Sequence, residues 1–341
     1  MTSRLAIDIA LQGGGAHGAF TWGVLDRLLA DERLRIDGIS GTSAGAMNAV
    51  VLADGFARGG GPAGARRALR SFWRAVSAIS RFSPLQRSPL DRLFGNWSLD
   101  TSPGYLAMQL AGTLVSPYEI NPLNINPLRD LLHRLVDFDR VRACGELNVF
   151  ISATNVRTGK ARIFRRDELD ADKVMASACL PQIFQAVEID GEAYWDGGYM
   201  GNPALFPLVD ETDAHDLIIV QINPVVRDTL PRSAAEIMNR LNEITFNASL
   251  LREISSILLL KKLIDEEHVS RVRYTDMRLH RINADSELLN LSVSSKLNAE
   301  WKFLEYLYKA GVRVADAWLA DNFSKLGRES TLDLTDISKP D

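Results

Sequence analysis

Three short stretches hold residues whose types and spacing could do chemistry. The first is Gly41-Thr42-Ser43-Ala44-Gly45, a G-x-S-x-G pattern. The apolar run from Ile36 to Ile39 leads into it, and a small-residue run of helical character, Ala46 to Ala53, follows. Strand, tight turn and helix in that order are the setting of a nucleophile elbow, in which the serine oxygen projects beyond the end of a sheet. Gly41 and Gly45 leave room for the close approach of turn, strand and helix. The helix N-terminus, beginning near Ala44, offers unpaired N–H groups to a developing negative charge. The chemistry would be nucleophilic attack by Ser43. A plain Gly/Ser turn explains the same five residues, so the other two stretches decide.

The second stretch is Gly13-Gly14-Gly15-Ala16-His17-Gly18. It joins an apolar strand, Leu5 to Leu11, to a segment whose apolar residues Phe20, Val24, Leu25, Leu28 and Leu29 recur at helical spacing. Backbone N–H groups in such a turn can crowd around one negative oxygen. A Walker A loop would need Gly-Lys-Ser/Thr, where this chain has Gly18-Ala19-Phe20. Gly13-x-Gly15-x-x-Gly18 also fits the dinucleotide fingerprint, with Asp37 about the expected ~20 residues on. The ribose-binding acid, however, belongs at the C-terminal end of the second strand. Asp37 stands at the beginning of that strand, and Ser43 follows its end. An oxyanion hole is the use that explains both stretches. The third stretch is Asp196-Gly197-Gly198, an acid and two glycines closing a short strand around Tyr194 and Trp195. Alone it reads as a turn; beside a serine elbow it becomes a candidate general base.

The elements that must position these residues follow from periodicity and breakers. Strands are predicted at 147–154, 161–164, 217–222 and 278–283, and helices at 66–80, from Pro127 to about Asp137, 170–179, 233–267 and 297–319. Residues 82–126 hold five prolines and many apolar residues, among them Leu93, Phe94, Trp97, Leu99, Tyr105, Leu110, Leu114 and Tyr118. They read as an irregular cap over a pocket, or as packing on the main core. The apolar face at 250–263 leaves open a transient membrane-surface contact or a homo-oligomer, though core packing is the commoner use of such a face. The tail from Gly327 is polar and reads as poorly ordered.

With 341 residues, 46% hydrophobic and 24% charged, the chain has ordinary globular composition. A net charge of −4 gives no electrostatic case for nucleic acid. Cys144 and Cys179 make neither a disulfide framework nor a metal cluster. No stretch approaches the ~20 apolar residues of a membrane span, and the N-terminus carries no signal-peptide pattern. A soluble, cytoplasmic protein without metal or other cofactor is the expectation.

The three stretches together resemble the patatin-like phospholipase family, which carries G-G-G-x-[KR]-G, G-x-S-x-G and D-G-[GA] in this order. The resemblance extends over about residues 5–225. It implies an α/β fold, an αβα sandwich around a mainly parallel central sheet, to which the helical spacing beyond residue 233 adds a helical C-terminal extension. The expected organisation is a catalytic domain over 1–232, including a cap-like insertion at about 66–126, and an extension over 233–341 packed on the same domain. The resemblance further implies a lipid acyl hydrolase with a Ser–Asp dyad: Ser43 as nucleophile, Asp196 as its partner, and an oxyanion hole from Gly14, Gly15 and the N–H of Ala44. His17 stands where the family has Arg or Lys, so a permanent positive charge is missing from the loop unless the imidazole is protonated.

A dyad asks a carboxylate to do what histidine does in a triad, so burial or a missing counter-charge should raise the Asp196 pKa above the usual ~3.9. His133, His215, His268 and His280 sit in no recognisable catalytic turn and read as structural or surface residues. Two other function classes share the motifs: an acyltransferase resolving the same acyl-enzyme with an alcohol, and a non-catalytic lipid- or protein-binding module. Intact Ser43, Asp196 and glycine loop argue against the second.

Overall fold

A computed structural model describes residues 4–267, 277–289 and 291–332. Apolar runs form the first strands, β1 (Leu5–Leu11) and β2 (Leu34–Gly41), paired in parallel with helix α1 (Gly18–Leu29) as the crossover. Helices α2 (Ala44–Gly55) and α3 (Gly61–Ser80) follow. Within the expected irregular cap lie α4 (Pro89–Leu93), α5 (Pro103–Leu114) and α6 (Pro117–Ile120). Each begins with proline after a serine N-cap, Ser88, Ser102 or Ser116. The prolines that read as breakers occupy first-turn positions, where a missing N–H costs nothing and φ is already helical. Leu99 and Tyr105 are buried and Trp97 stacks on Phe303 at 5.1 Å, whereas Leu93, Phe94, Leu110, Leu114 and Tyr118 are exposed. The segment is therefore anchored at a few points and open elsewhere.

Next come α7 (Pro127–Leu135), α8 (Phe138–Ala143), β3 (Asn148–Asn155), β4 (Ala161–Arg165) and α9 (Ala171–Ser177). They are followed by β5 (Val187–Ile189), β6 (Glu192–Asp196), α10 (Phe206–Glu211) and β7 (Asp216–Gln221). The remainder is α11 (Ala234–Glu267), β8 (Arg278–Asn283), α12 (Asp285–Leu288) and α13 (Trp301–Asn322). The short β5 has no signal in the sequence; it exists as the hairpin partner of β6.

The strands form one mixed sheet in the order β5-β6-β3-β2-β1-β7-β8, with β4 also on β3. The five strands β3-β2-β1-β7-β8 are parallel. Alternation sends Ile7, Ile9 and Leu11 to one face, against α1, α2 and α13, and Ala10 with Ile219 and Leu217 to the other, against Leu250, Ile254 and Ile257 of α11. Helices thus cover both faces of a mostly parallel sheet, an α/β sandwich. Leu259 and Leu263 of α11 remain exposed. No helix among the described residues is long and apolar enough to cross a membrane.

Several expectations need correction. The last helix starts at Trp301, because Val293–Leu297 is a separate 3-10 turn. The chain beyond Gly327 is not loose throughout: the N–H groups of Thr331 and Leu332 bond to Leu279 O, and Leu332 is buried. Residues 333–341 lie outside the described residues. His280 is not at the surface; it is fully buried, with Nε2 3.0 Å from Asp216 and Nδ1 3.0 Å from Thr331.

Candidate active site

The register of the sheet brings the three motifs to one place. Leu11 pairs with Gly41, and Gly41 with Ile151, so the glycine loop and the elbow both leave the sheet at the level of Ile151. Ile151 faces Gly41 on one side and Phe164 on the other, while Ala153 faces Asp196 and Arg162. Strand β4 therefore lines one edge of β3, and β2 followed by β6 shares the other. The antiparallel β6 ends with Asp196 just where β2 has turned away into Ser43.

At the elbow Ser43 holds φ 55° and ψ −118°, a conformation that non-glycine residues adopt only under constraint from their surroundings. The constraint is visible. The Ser43 N–H donates to Ser177 Oγ at 2.9 Å, its carbonyl accepts from Met47 N–H, and Thr42 Oγ1 donates to Gly201 O at 2.5 Å. A side chain at Gly45 would place its Cβ 2.3 Å from the Leu11 carbonyl oxygen, so only glycine lets α2 start so close to β1.

The glycine loop is pinned at one peptide and open beyond it. Gly13 N–H donates to Asn202 Oδ1 at 2.7 Å, and Gly13 O accepts from Asn223 Nδ2 at 2.9 Å. Gln12 Oε1 accepts from the Ile222 and Asn223 N–H groups, each at 2.9 Å. Among the described residues, the N–H groups of Gly14, Gly15 and Ala44 donate to no protein acceptor. Ala16 and His17 are buried, and Gly18 begins α1, its carbonyl held by Asn48 Nδ2 at 3.0 Å.

Asp196 is fully buried. Its N–H donates to Cys179 O at 2.8 Å, and its carbonyl accepts from Thr154 Oγ1 at 2.9 Å. One carboxyl oxygen, Oδ1, accepts from Gly198 N–H at 2.7 Å, while Oδ2 has no well-formed hydrogen bond. The Ser43 hydroxyl is among the groups that hold the pKa of this carboxyl down, which places the two side chains close together. Burial pushes the Asp196 carboxyl up to about 7, against the opposing pull of Gly198 N–H, Ser43 and Lys296. Burial, with Asp196 beside it, also pushes the Cys179 thiol up to about 12, which leaves it inert as a nucleophile.

Among the described residues, no histidine completes a triad with these two. His17 is buried, and burial holds its pKa down at about 3, so the imidazole is neutral. His133 and His215 are exposed, and His215 precedes β7 at the far end of the sheet from Ser43. His280 is committed to Asp216 at that same far end. His268 lies outside the described residues. A cavity of about 370 Å³ lies under the cap, lined by Tyr118, Arg129, Met175, Cys179 and Phe184 among others. Ser43 is not among its lining residues, but Cys179, whose carbonyl accepts from Asp196 N–H, is.

Ser177, Asn202, Asn223 and Lys296 also build the site, and motif reading missed them. Asn202 stands in the stretch that follows Asp196-Gly197-Gly198, so proximity to that motif was a usable signal. The others are ordinary polar residues in unremarkable contexts.

Residues 9–209 match the sequence profile of the patatin-like phospholipase family. No curated protein matches the chain. Among solved structures, VipD from Legionella pneumophila is similar over 92% of this chain and 67% of its own length, at 14% identity and a TM-score of 0.41. Two structures of the ExoU–SpcU complex from the type III secretion system of Pseudomonas aeruginosa are similar at 15% and 19% identity, with TM-scores of 0.29 and 0.30. They match 92% and 94% of this chain, which spans only 53% and 61% of the chains matched there.

Proposed function

The chain belongs to the patatin-like phospholipase family, and from that premise we propose that it is a lipid acyl hydrolase working through a Ser43–Asp196 dyad and an acyl-enzyme. Its type would be phospholipase A, lysophospholipase or carboxylesterase. The observation that carries this reading is the Asp196 carboxyl: buried, fixed through Oδ1 by Gly198, and left with an unpartnered Oδ2 beside Ser43. A carboxylate with a pKa near the working pH is a competent general base without histidine.

Asp196 takes the Ser43 proton as Oγ attacks the acyl carbonyl carbon, and the π electrons move onto the carbonyl oxygen. The N–H groups of Gly14, Gly15 and Ala44 meet that oxyanion. The intermediate collapses, the ester C–O bond breaks, and Asp196 returns the proton to the departing alcohol. Water then repeats the sequence: Asp196 accepts its proton, hydroxide adds to the acyl-enzyme, and Ser43 leaves with the proton restored.

Only the deprotonated carboxyl can act as base. Hydrolysis of a p-nitrophenyl acyl ester should therefore rise with pH through a midpoint near 7 and be lost as pH falls through it. A kcat/KM that stays level from pH 5 to pH 8 would remove Asp196 from the role of base.

The cap supports a lipid substrate. Leu106, Leu110 and Leu114 lie one turn apart on α5 and are 50%, 64% and 75% exposed. Tyr118 OH, just beyond, accepts from Ala186 N–H and ties the cap to the segment between α9 and β5. Contact of this stripe with aggregated lipid predicts that replacing all three leucines by lysine lowers turnover of phospholipid vesicles by at least about tenfold, since burying even one leucine in lipid is worth ~1.5–3 kcal/mol. Turnover of a soluble short-chain ester should stay unchanged, and an equal loss on both substrates would count against the contact.

A further inference from the structure

The proposed reaction places negative charge twice in one enclosed space: on Asp196 when it is deprotonated, and on the oxygen that the loop amides meet. His17, the ionisable side chain of that loop, offsets neither. Its Nε2 is 2.8 Å from Ser295 Oγ, its Nδ1 has no partner, and it is neutral. The positive charge comes from elsewhere in the chain. The 3-10 turn Val293–Leu297 lies directly on the loop: a Cβ at Gly15 would sit 2.3 Å from Lys296 O. Lys296 Nζ donates to Asn223 Oδ1 at 2.6 Å. The other end of that amide, Nδ2, donates to Gly13 O at 2.9 Å and to Gln12 Oε1 at 3.0 Å. The ammonium stands 5.9 Å from the centre of the Phe246 ring, which packs edge-on against Tyr199, directly after the Asp196-Gly197-Gly198 motif.

We propose that Lys296 is a positioning residue of this hydrolysis: its ammonium, acting through Asn223, fixes the Gly13 peptide so that the amides beyond it face the oxyanion, and its charge favours both ionised Asp196 and the oxyanion. This rests on the hydrolase reading above. The turn that carries Lys296 lies outside residues 9–209, the part matched by the family profile, so the inference adds a C-terminal element to the site. As a residue Lys296 is partly exposed, but its ammonium is enclosed. The charged groups that act on it are Glu243 of α11, Arg227 of the preceding loop and Asp196, while His17 faces it from the glycine loop. Arg227 and Glu243 are paired with each other at 2.5 Å. Burial brings the Lys296 ammonium down to about 8, against Glu243, so its charge is present below that pH and lost as pH rises through it.

The test compares wild type with Lys296→Met, Lys296→Gln and Lys296→Arg, using p-nitrophenyl ester turnover against pH, with thermal melting to establish folding. Wild type should give a bell with an alkaline limb near 8. Lys296→Met should lower kcat roughly 10- to 100-fold with little change in KM, less than the ~10²–10³ of deleting a direct oxyanion donor. Its alkaline limb should vanish and its acid limb move to higher pH. Lys296→Gln keeps a donor for Asn223 without the charge; it should recover part of kcat but not the alkaline limb. Lys296→Arg should retain both activity and the acid limb. A carboxyl ¹³C titration of Asp196, assigned with Asp196→Asn, gives a readout independent of turnover: its midpoint should rise in Lys296→Met and stay in Lys296→Arg. Wild-type rate, pH profile and Asp196 midpoint in folded Lys296→Met would overturn the role of Lys296. A wild type inert on esters would instead sink the hydrolase reading, and the Asp196 titration would still decide whether Lys296 acts on that carboxyl.

Discussion

Replacing Ser43 by alanine, or Asp196 by asparagine, should each lower ester hydrolysis by about 10⁴-fold or more, the scale on which nucleophile and base deletions act in serine hydrolases. The two variants should part company in stability. Ser43→Ala removes a hydroxyl near the surface of the site and leaves the strained φ of 55° in place, so its melting temperature should stay near wild type. Asp196→Asn removes a carboxyl that the fold holds unfavourably. The sign follows from the direction of the shift: the folded pKa, about 7, lies above the unfolded value near 3.8. The unfolded carboxyl ionises first, so stability falls as pH rises from about 4 to 7 and the loss is complete above 7. Ionising a carboxyl so displaced costs the fold roughly 4 kcal/mol, an upper bound once the new amide is left with an unpaired donor. Asp196→Asn should therefore melt higher than wild type at pH 8 and close to it at pH 4. Retained activity in either variant would end the dyad reading; an Asn variant less stable than wild type at pH 8 would show that Asp196 is a structural carboxylate.

Gly13→Ala should lower kcat about 10²- to 10³-fold while the protein still folds. A Cβ at Gly13 would lie 2.8 Å from Ser43 Cβ, 2.8 Å from Thr42 O and 3.3 Å from Asn202 Oδ1. None of these neighbours is free to yield. Thr42 is tied to Gly201, Ser43 to Ser177, and Asn202 to both Gly13 N–H and, through Nδ2, Phe246 O. The loop itself must move, carrying the Gly14 and Gly15 amides away from the oxyanion. A misplacement of about 1 Å is enough for a hundredfold loss. Steady-state kinetics with a melting curve check this, and Gly145→Ala serves as the control, since a Cβ there meets nothing within 4 Å. Equal kcat in the two alanine variants would mean that the loop tolerates displacement and does not line the oxyanion.

Much of the fold was legible along the chain because the relevant forces act locally. The apolar runs of β1, β2, β3 and β7 and the helical spacing of α1 fall within a few residues of their observed bounds. The cap shows where local reading fails. Its prolines look like breakers until the preceding serines are seen to cap short helices, and the two readings share one composition.

By itself, the sequence determined the apolar runs of the central strands and the three motif stretches, with Ser43 and Asp196 as the groups suited to nucleophile and base. These are properties of residue type and short spacing. Tertiary structure alone decided that β6 runs antiparallel along the edge vacated by β2, which delivers Asp196 beside Ser43. It also decided that the carboxyl is buried with Oδ2 free of hydrogen bonds, that His17 is neutral, and that Lys296 reaches Asn223 beside the glycine loop. The physical reason is that a pKa depends on enclosure and on charges within a few ångströms. Those neighbours are set by how distant segments pack, which no local pattern in the chain encodes.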